Sequence, residues 1–228
     1  MPTTTTGPSL DHDRWRAGLD ALIDTIAPRF ARHDAARNAG AFLLSVLSAV
    51  ETKNCWTMAE LAGHSTPDRL QHLLSRAKWD AEEVREDLQH LVLDGLGTDQ
   101  AVLVIDETGD LKKGTHTVGV QRQYTGTAGR IENCQVAVYL TYATRIGHAL
   151  IDRALYLPRS WTDDPARCAA AGVPDDIEFA TKPRLAADLI TRARAAGVCA
   201  DWVAGDEVYG DNPYPVSYTH LRAHETVL

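Results

Sequence analysis

The stretch AVLVIDETGDLKKG, residues 101–114, decides how this chain is read. Five apolar residues, Ala101 to Ile105, run without alternation into Asp106 and Glu107, and a glycine, a further acid and two lysines follow. An apolar run with no polar face is the pattern of a central strand covered on both sides. Carboxylates at the end of such a strand need water, a cation or a charged partner, which makes that end the first place to look for chemistry.

Working outward toward the C-terminus, the pattern stays that of strands. HTVGVQRQY (116–124) sets Val118 and Val120 against Gln121 and Gln123, and QVAVYLTYA (135–143) and HALIDRALYL (148–157) continue it, as in an antiparallel meander. A loop containing Pro and Trp covers 158–180. Thr181 can then cap a helix, KPRLAADLITRARAAG, that stops at Gly197. It leads into VCADWVAGD (198–206), a short strand ending at Asp206. The predicted class is α/β, in the order strand, strand, strand, helix, strand.

Toward the N-terminus the chain reads as helix. Leu19, Leu22, Ile23, Ile26 and Phe30 fall at three- and four-residue spacing, as do Phe42, Leu43, Val46, Leu47 and Val50, with Pro28 and Asn38-Ala39-Gly40 as punctuation. WTMAELAGHSTPDRLQHLLSRAKW (56–79) fits a helix-turn-helix, with Thr66 as N-cap, Pro67 at the first helical position, and Arg69, Gln71, His72 and Arg76 available on the second helix. A plain hairpin with Leu70, Leu73 and Leu74 facing a core fits equally well. DAEEVREDLQHLVLDGLG (80–97) is a further amphipathic helix with an acidic outer face. These segments define a helical domain over 10–97 and a second domain over 100–213.

Asp106 and Asp206 share a setting, each after an apolar strand with a glycine nearby. If the strands are neighbours, both carboxylates reach one site, since ligands bind at strand ends in open sheets. Two unit charges about 4 Å apart at an effective dielectric of ~20 repel by about 4 kcal/mol, so the pair shares a proton or holds a cation. Hard carboxylate oxygens suit Mg²⁺ or Mn²⁺, and two such ions serve phosphodiester cleavage. Between Leu111 and Ile131 there is no acid, while Lys112, Lys113, Arg122 and Arg130 all fall there; beside an acidic centre they suit a phosphate backbone, or are ordinary exposed side chains of a hairpin. Strand alternation turns Glu107 and Glu207 away from the neighbouring aspartates, toward solvent or a supporting role.

Composition narrows the classes. The chain has 228 residues, 44% of them hydrophobic, with a formal charge of -8, so it folds, and any nucleic-acid surface is local rather than a whole-molecule basic field. Four scattered cysteines without a C-x-x-C pair give no zinc knuckle or disulfide framework. No apolar run approaches a membrane span and the N-terminus is unlike a signal peptide, so a cytoplasmic protein is expected. VLVIDE also fits a Walker B strand, but the chain has no G-x-x-x-x-G-K-[ST] loop to accompany it.

With those residues in place, the blocks from VLVIDETGDLKKG through GHALIDRALYLPRSW and AGVPDDIEFATKPRLA to WVAGDEVYG, preceded by ETKNCWTMAELAG and PDRLQHLLSRAKWD, resemble the bacterial insertion-sequence transposases of the DDE superfamily. The resemblance runs over roughly 10–213. It implies an RNase H-like catalytic core, two Mg²⁺ or Mn²⁺ ions in the intact parent, and cleavage and strand transfer on DNA at insertion-sequence ends by a homodimer or larger complex. On it, Asp106 is the first catalytic aspartate and metal ligand and Asp206 the second. The third acid, a Glu on a later helix, has no counterpart in the sequence, so the core is expected to be incomplete and the chain inactive on its own; the alternative is a non-catalytic DNA-binding module. VSYTHLRAHETVL resembles an adapter read-through, so 214–228 is expected to be a non-native tail in which His220, His224 and Glu225 form no site.

Overall fold

A computed structural model describes residues 12–210; the segment read as a tail, with His220, His224 and Glu225, lies outside the described residues. The chain divides into two compact units at Asp87/Leu88.

The first unit is helical. It comprises α1 (His12–Ile26), α2 (His33–Leu47), α3 (Cys55–Leu61), α4 (Asp68–Ser75) and the start of α5 (Ala81–Leu96). Pro28 does interrupt the first helix, which passes into a 3-10 turn at Ala27–Arg29 and leaves Phe30 to stack on Trp79 at 5.5 Å. Asn38-Ala39-Gly40 is no break. It lies inside α2, where Ala35, Ala36, Asn38, Ala39 and Gly40 are buried while Val46 and Leu47 are exposed, so α2 packs through its small residues and not through its large ones. Asn54 caps α3 by accepting from the amides of Trp56 (2.8 Å) and Thr57 (3.1 Å). The cap of α4 is Pro67, one residue later than the sequence predicts, and the Thr66 hydroxyl donates instead to Asp68 Oδ2. Met58, Ala59 and Leu70 form a small core with Phe42 and Cys55. Leu73 is also buried, whereas Leu74 points to solvent.

The second unit is a mixed sheet with helices. Its strands are β1 (Val102–Leu111), β2 (Gln121–Thr125), β3 (Arg130–Thr144), β4 (Gly147–Leu155) and β5 (Trp202–Gly205). Between β4 and β5 come α6 (Arg159–Thr162), α7 (Pro165–Ala170) and α8 (Lys182–Ala195), and α9 (Glu207–Gly210) follows β5. The mixed α/β architecture matches the expected class, with four strands before the long helix. The short β2 shares one edge of β3 with β4, while β1 takes the other edge. All pairings are antiparallel except β1 with β5, which is parallel.

The strand read over 116–124 begins only at Gln121. Gly119, with φ of +76° and a Cβ position 2.8 Å from the Tyr156 carbonyl oxygen, turns the backbone there. Val120 consequently drops into a separate small core with Leu157 and Trp161, whose indole N–H donates to the Val120 carbonyl at 2.9 Å.

The main core lies on one face of the sheet. Leu103, Ile105, Val138, Leu140 and Tyr142 meet Ala186, Leu189, Ile190 and Ala193 of α8, with Val92, Leu93 and Leu96 of α5 packed against them. Coverage of the central strand on both sides is therefore a correction: Leu103 and Ile105 are buried, but Val102 and Val104 on the other face are only half-buried. A β-bulge leaves Ile151 unpaired between Leu140↔Asp152 and Thr141↔Leu150, so Ile151 and Asp152 are both buried. Asp152 is neutralised there by Arg192, whose Nη2 lies 3.0 Å from its Oδ2.

Candidate active site on two parallel strands

β5 runs parallel to β1 in the register Val102↔Trp202 through Ile105↔Gly205. Asp106 and Asp206 are the residues that immediately follow the last pair, on neighbouring chains spaced about 4.8 Å apart where they pair. The two strands then part company. β1 continues to Leu111 because its antiparallel pairing with β3 continues to Leu111↔Cys134, whereas the chain after Gly205 turns into α9. Asp106 thus stands in the middle of a strand rather than at its end, a correction to the sequence reading, and the end of β5 is what opens space beside it.

Each aspartate is exposed, and each uses one oxygen locally. Asp106 Oδ1 accepts the amide of Glu107 at 2.7 Å, and Asp206 Oδ1 accepts the amide of Val208 at 3.0 Å. Among the described residues, Oδ2 of each takes no protein hydrogen bond. Two exposed carboxylates just beyond paired strand positions have the chemistry to hold Mg²⁺ or Mn²⁺, ions that bind through one or two carboxylates and keep several waters. Among the described residues no third His, Cys, Asp or Glu joins them as a cluster.

Glu107 points the other way, as strand alternation requires, and is partly buried there. It pairs across β1 and β3 with buried Val138. Its Oε2 accepts the Tyr209 hydroxyl at 2.7 Å, and its Oε1 pairs with Lys182 Nζ at the start of α8. Burial pushes the Tyr209 phenol well above its ordinary range, and the hydrogen bond to Glu107 and the charges of Glu107, Asp206 and Asp106 add to the shift. Lys182 and Tyr209 are absent from the sequence reading. The available signal is local: in GDEVYG the tyrosine stands three residues after Asp206, one helical turn on. Glu207 is exposed.

The four basic residues do not share one face of the sheet. On the pleat, Arg122 shares the face of Asp106, since Arg122 pairs with Asn133 and Asp106 with Tyr139, both odd positions of β3. Exposed Tyr124 lies on that face as well. Arg130 falls on the opposite face, paired with Glu132 at 2.7 Å. Lys112 approaches Asp110 at 3.8 Å, and Lys113 is exposed. The acids bounding the acid-free segment, Asp110 and Glu132, engage two of its cations, Lys112 and Arg130. In the first unit Arg69, Gln71, His72 and Arg76 are all exposed on or beside α4. No helix is long and apolar enough to cross a membrane among the described residues.

Comparison with known proteins adds to this geometry. Residues 25–220 match the family described as DDE superfamily endonuclease. The chain is similar to a protein of Microchaete diplosiphon named as the probable transposase for insertion sequence element IS701. The two are 32% identical over 168 residues, covering 73% of this chain and 41% of that protein. The chain thus spans less than half the length of this curated relative. No solved structure matches.

Proposed function

The chain belongs to the DDE superfamily endonucleases, and from that premise we propose that it carries part of the catalytic core of an insertion-sequence transposase acting on DNA. The observation that supports this reading is that Asp106 and Asp206 each directly follow the last paired position, Ile105↔Gly205, of two adjacent parallel strands. Their unengaged oxygens would hold Mg²⁺ or Mn²⁺, two ions in the intact parent. Such ions polarise a phosphodiester and activate the attacking oxygen. Asp106 and Asp206 bind and orient; Arg122, on the same face, meets the phosphate backbone, with Lys112 and Lys113 after β1 adding local positive charge and Tyr124 offering a ring to an unpaired base. Arg130 belongs to the same hairpin but to its other face, so its contribution to DNA is small. The parent would cut at the transposon ends and transfer the strand to target DNA, as a homodimer or larger assembly.

The described core supplies two carboxylates, and we propose that a third acid is required for cleavage. The test is Mn²⁺ binding and plasmid nicking by the purified chain. Mn²⁺ should bind, and Asp106→Asn or Asp206→Asn should weaken binding at least about tenfold; equal binding by the variants overturns the metal reading. Nicking should stay at background. Robust metal-dependent nicking that Asp106→Ala abolishes would show that two acids suffice.

A second reading, a DNA-binding module without catalysis, is favoured by the exposed Arg69, Gln71, His72 and Arg76 around α4. It predicts salt-dependent gel shifts that survive loss of both aspartates.

A further inference from the structure

We propose that Glu107, Tyr209 and Lys182 form a clamp behind the sheet that positions Asp206 against Asp106; this rests on the metal-binding reading of the two aspartates.

The need for a clamp follows from how little else holds Asp206. β5 is four residues long, every one of them exposed, and is paired to β1 through four positions. The helix after it, α9, is also four residues, far below the length at which a helix sustains itself. A metal ligand in such a segment would wander by more than the tolerance of a coordination sphere unless something else fixes it.

Tyr209 provides the fixing point. It is 2% exposed and belongs to the main core. Its backbone amide donates to the Asp206 carbonyl at 3.1 Å, closing the turn that carries the aspartate. Its Cβ would sit 3.2 Å from a Cβ placed on Gly205, so the ring root packs directly against the residue before Asp206. The hydroxyl then reaches Glu107 Oε2 at 2.7 Å, and the other oxygen of Glu107 holds Lys182. Lys182 stands in the first turn of α8, where the helix dipole disfavours a cation, so its presence there is accounted for by Glu107 and not by the helix. The Thr181 hydroxyl, accepting from the Arg184 amide, starts that helix at the position required.

The geometry therefore uses two consecutive residues of β1 for two tasks on two faces. Asp106 offers its carboxylate to the open face, and Glu107, one residue on, ties the Asp206 turn to the covered face. Through Tyr209 the two aspartates are connected by a hydrogen-bonded path that crosses the sheet once. These three are positioning residues, since none of them reaches the open face.

The experiment uses the full chain, Mn²⁺ as probe, and the variants Tyr209→Phe and Glu107→Gln, which keep ring and shape. Mn²⁺ affinity should fall about tenfold in each, the size of effect seen when a group supporting a metal ligand is lost. Trp161→Phe, which disturbs the separate small core, serves as the stability control and should leave affinity unchanged. A metal-free reading accompanies it: the backbone amide resonances of Gly205 and Asp206 should be single in the parent chain and broadened or multiplied in Tyr209→Phe, and unaffected in Trp161→Phe. If Asp106→Asn weakens Mn²⁺ binding but Tyr209→Phe does not, the clamp is wrong and the metal reading stands. If no aspartate variant alters Mn²⁺ binding, the metal reading fails, and unchanged amide resonances in Tyr209→Phe would overturn the clamp independently.

Discussion

Asp106 and Glu107 are neighbours with opposite surroundings, and the reason is the two-residue period of a strand. That much is legible in VIDETG alone. What waits on the far side is not, because Lys182 and Tyr209 come from 75 and 102 residues away and neither announces a partner in sequence. The same limit applies at Gly109, whose Cβ position lies 2.2 Å from Thr125 Oγ1. A glycine in a strand weakens it on propensity grounds, yet here nothing larger fits. Gly109→Ala should therefore cost about 2 kcal/mol through overpacking, measured by urea denaturation. Adding Thr125→Gly should recover part of that loss; no recovery would place the strain elsewhere. Asp152 makes the complementary case. Its side chain is fully buried against Arg192, and Arg192→Leu, which strands the carboxylate, should cost about 3 kcal/mol. A near-neutral result would mean that the amide and guanidinium of Arg153, at 2.8 Å and 3.8 Å from Asp152 Oδ1, suffice.

At the scale of elements, long periodic segments are the legible ones. The helix over 182–197 is found with its cap and its end because Thr181, Pro183 and Gly197 mark the boundaries chemically. The α2 helix is misjudged because its contact face is built from alanine and glycine, which carry little hydrophobic signal, while its larger residues face outward. Short helices depend more on their ends than on their faces. Seven-residue α3 illustrates this, since the Asn54 carboxamide satisfies two of its amides and Thr57 answers the Asn54 amide. Asn54→Ala should destabilise the first unit by about 1 kcal/mol, and Asn54→Asp by much less. Thermal melts of the two variants decide it: equal losses would show that the side-chain acceptor is not what holds the helix start.

For the whole molecule, the change from helix to strand and the division into compact units fall at different places in the chain. Composition places a change of character at about residue 100, where helix gives way to strand, but the compact units meet at Asp87/Leu88, within α5. Packing explains the offset. Val92, Leu93 and Leu96 lie against the main core, Gln89 donates to the Ile151 carbonyl at 3.0 Å, and the carbonyls of Leu96 and Gly97 accept the hydroxyls of Thr144 and Tyr142. The second half of α5 is thus a structural member of the sheet unit, although its sequence reads as the last of a helical series. Partial burial of three such side chains contributes roughly 1 to 2 kcal/mol each, a large share of the 5 to 15 kcal/mol that typically holds a domain. We therefore expect a chain beginning at Asp80, whose carboxylate accepts the amides of Glu82 and Glu83 and starts α5, to unfold in one cooperative transition. A chain beginning at residue 100 should lose cooperativity and bind a hydrophobic dye before denaturant is added. Calorimetry on the two chains is the measurement, and cooperative melting of the shorter one would return the boundary to the place the composition suggests.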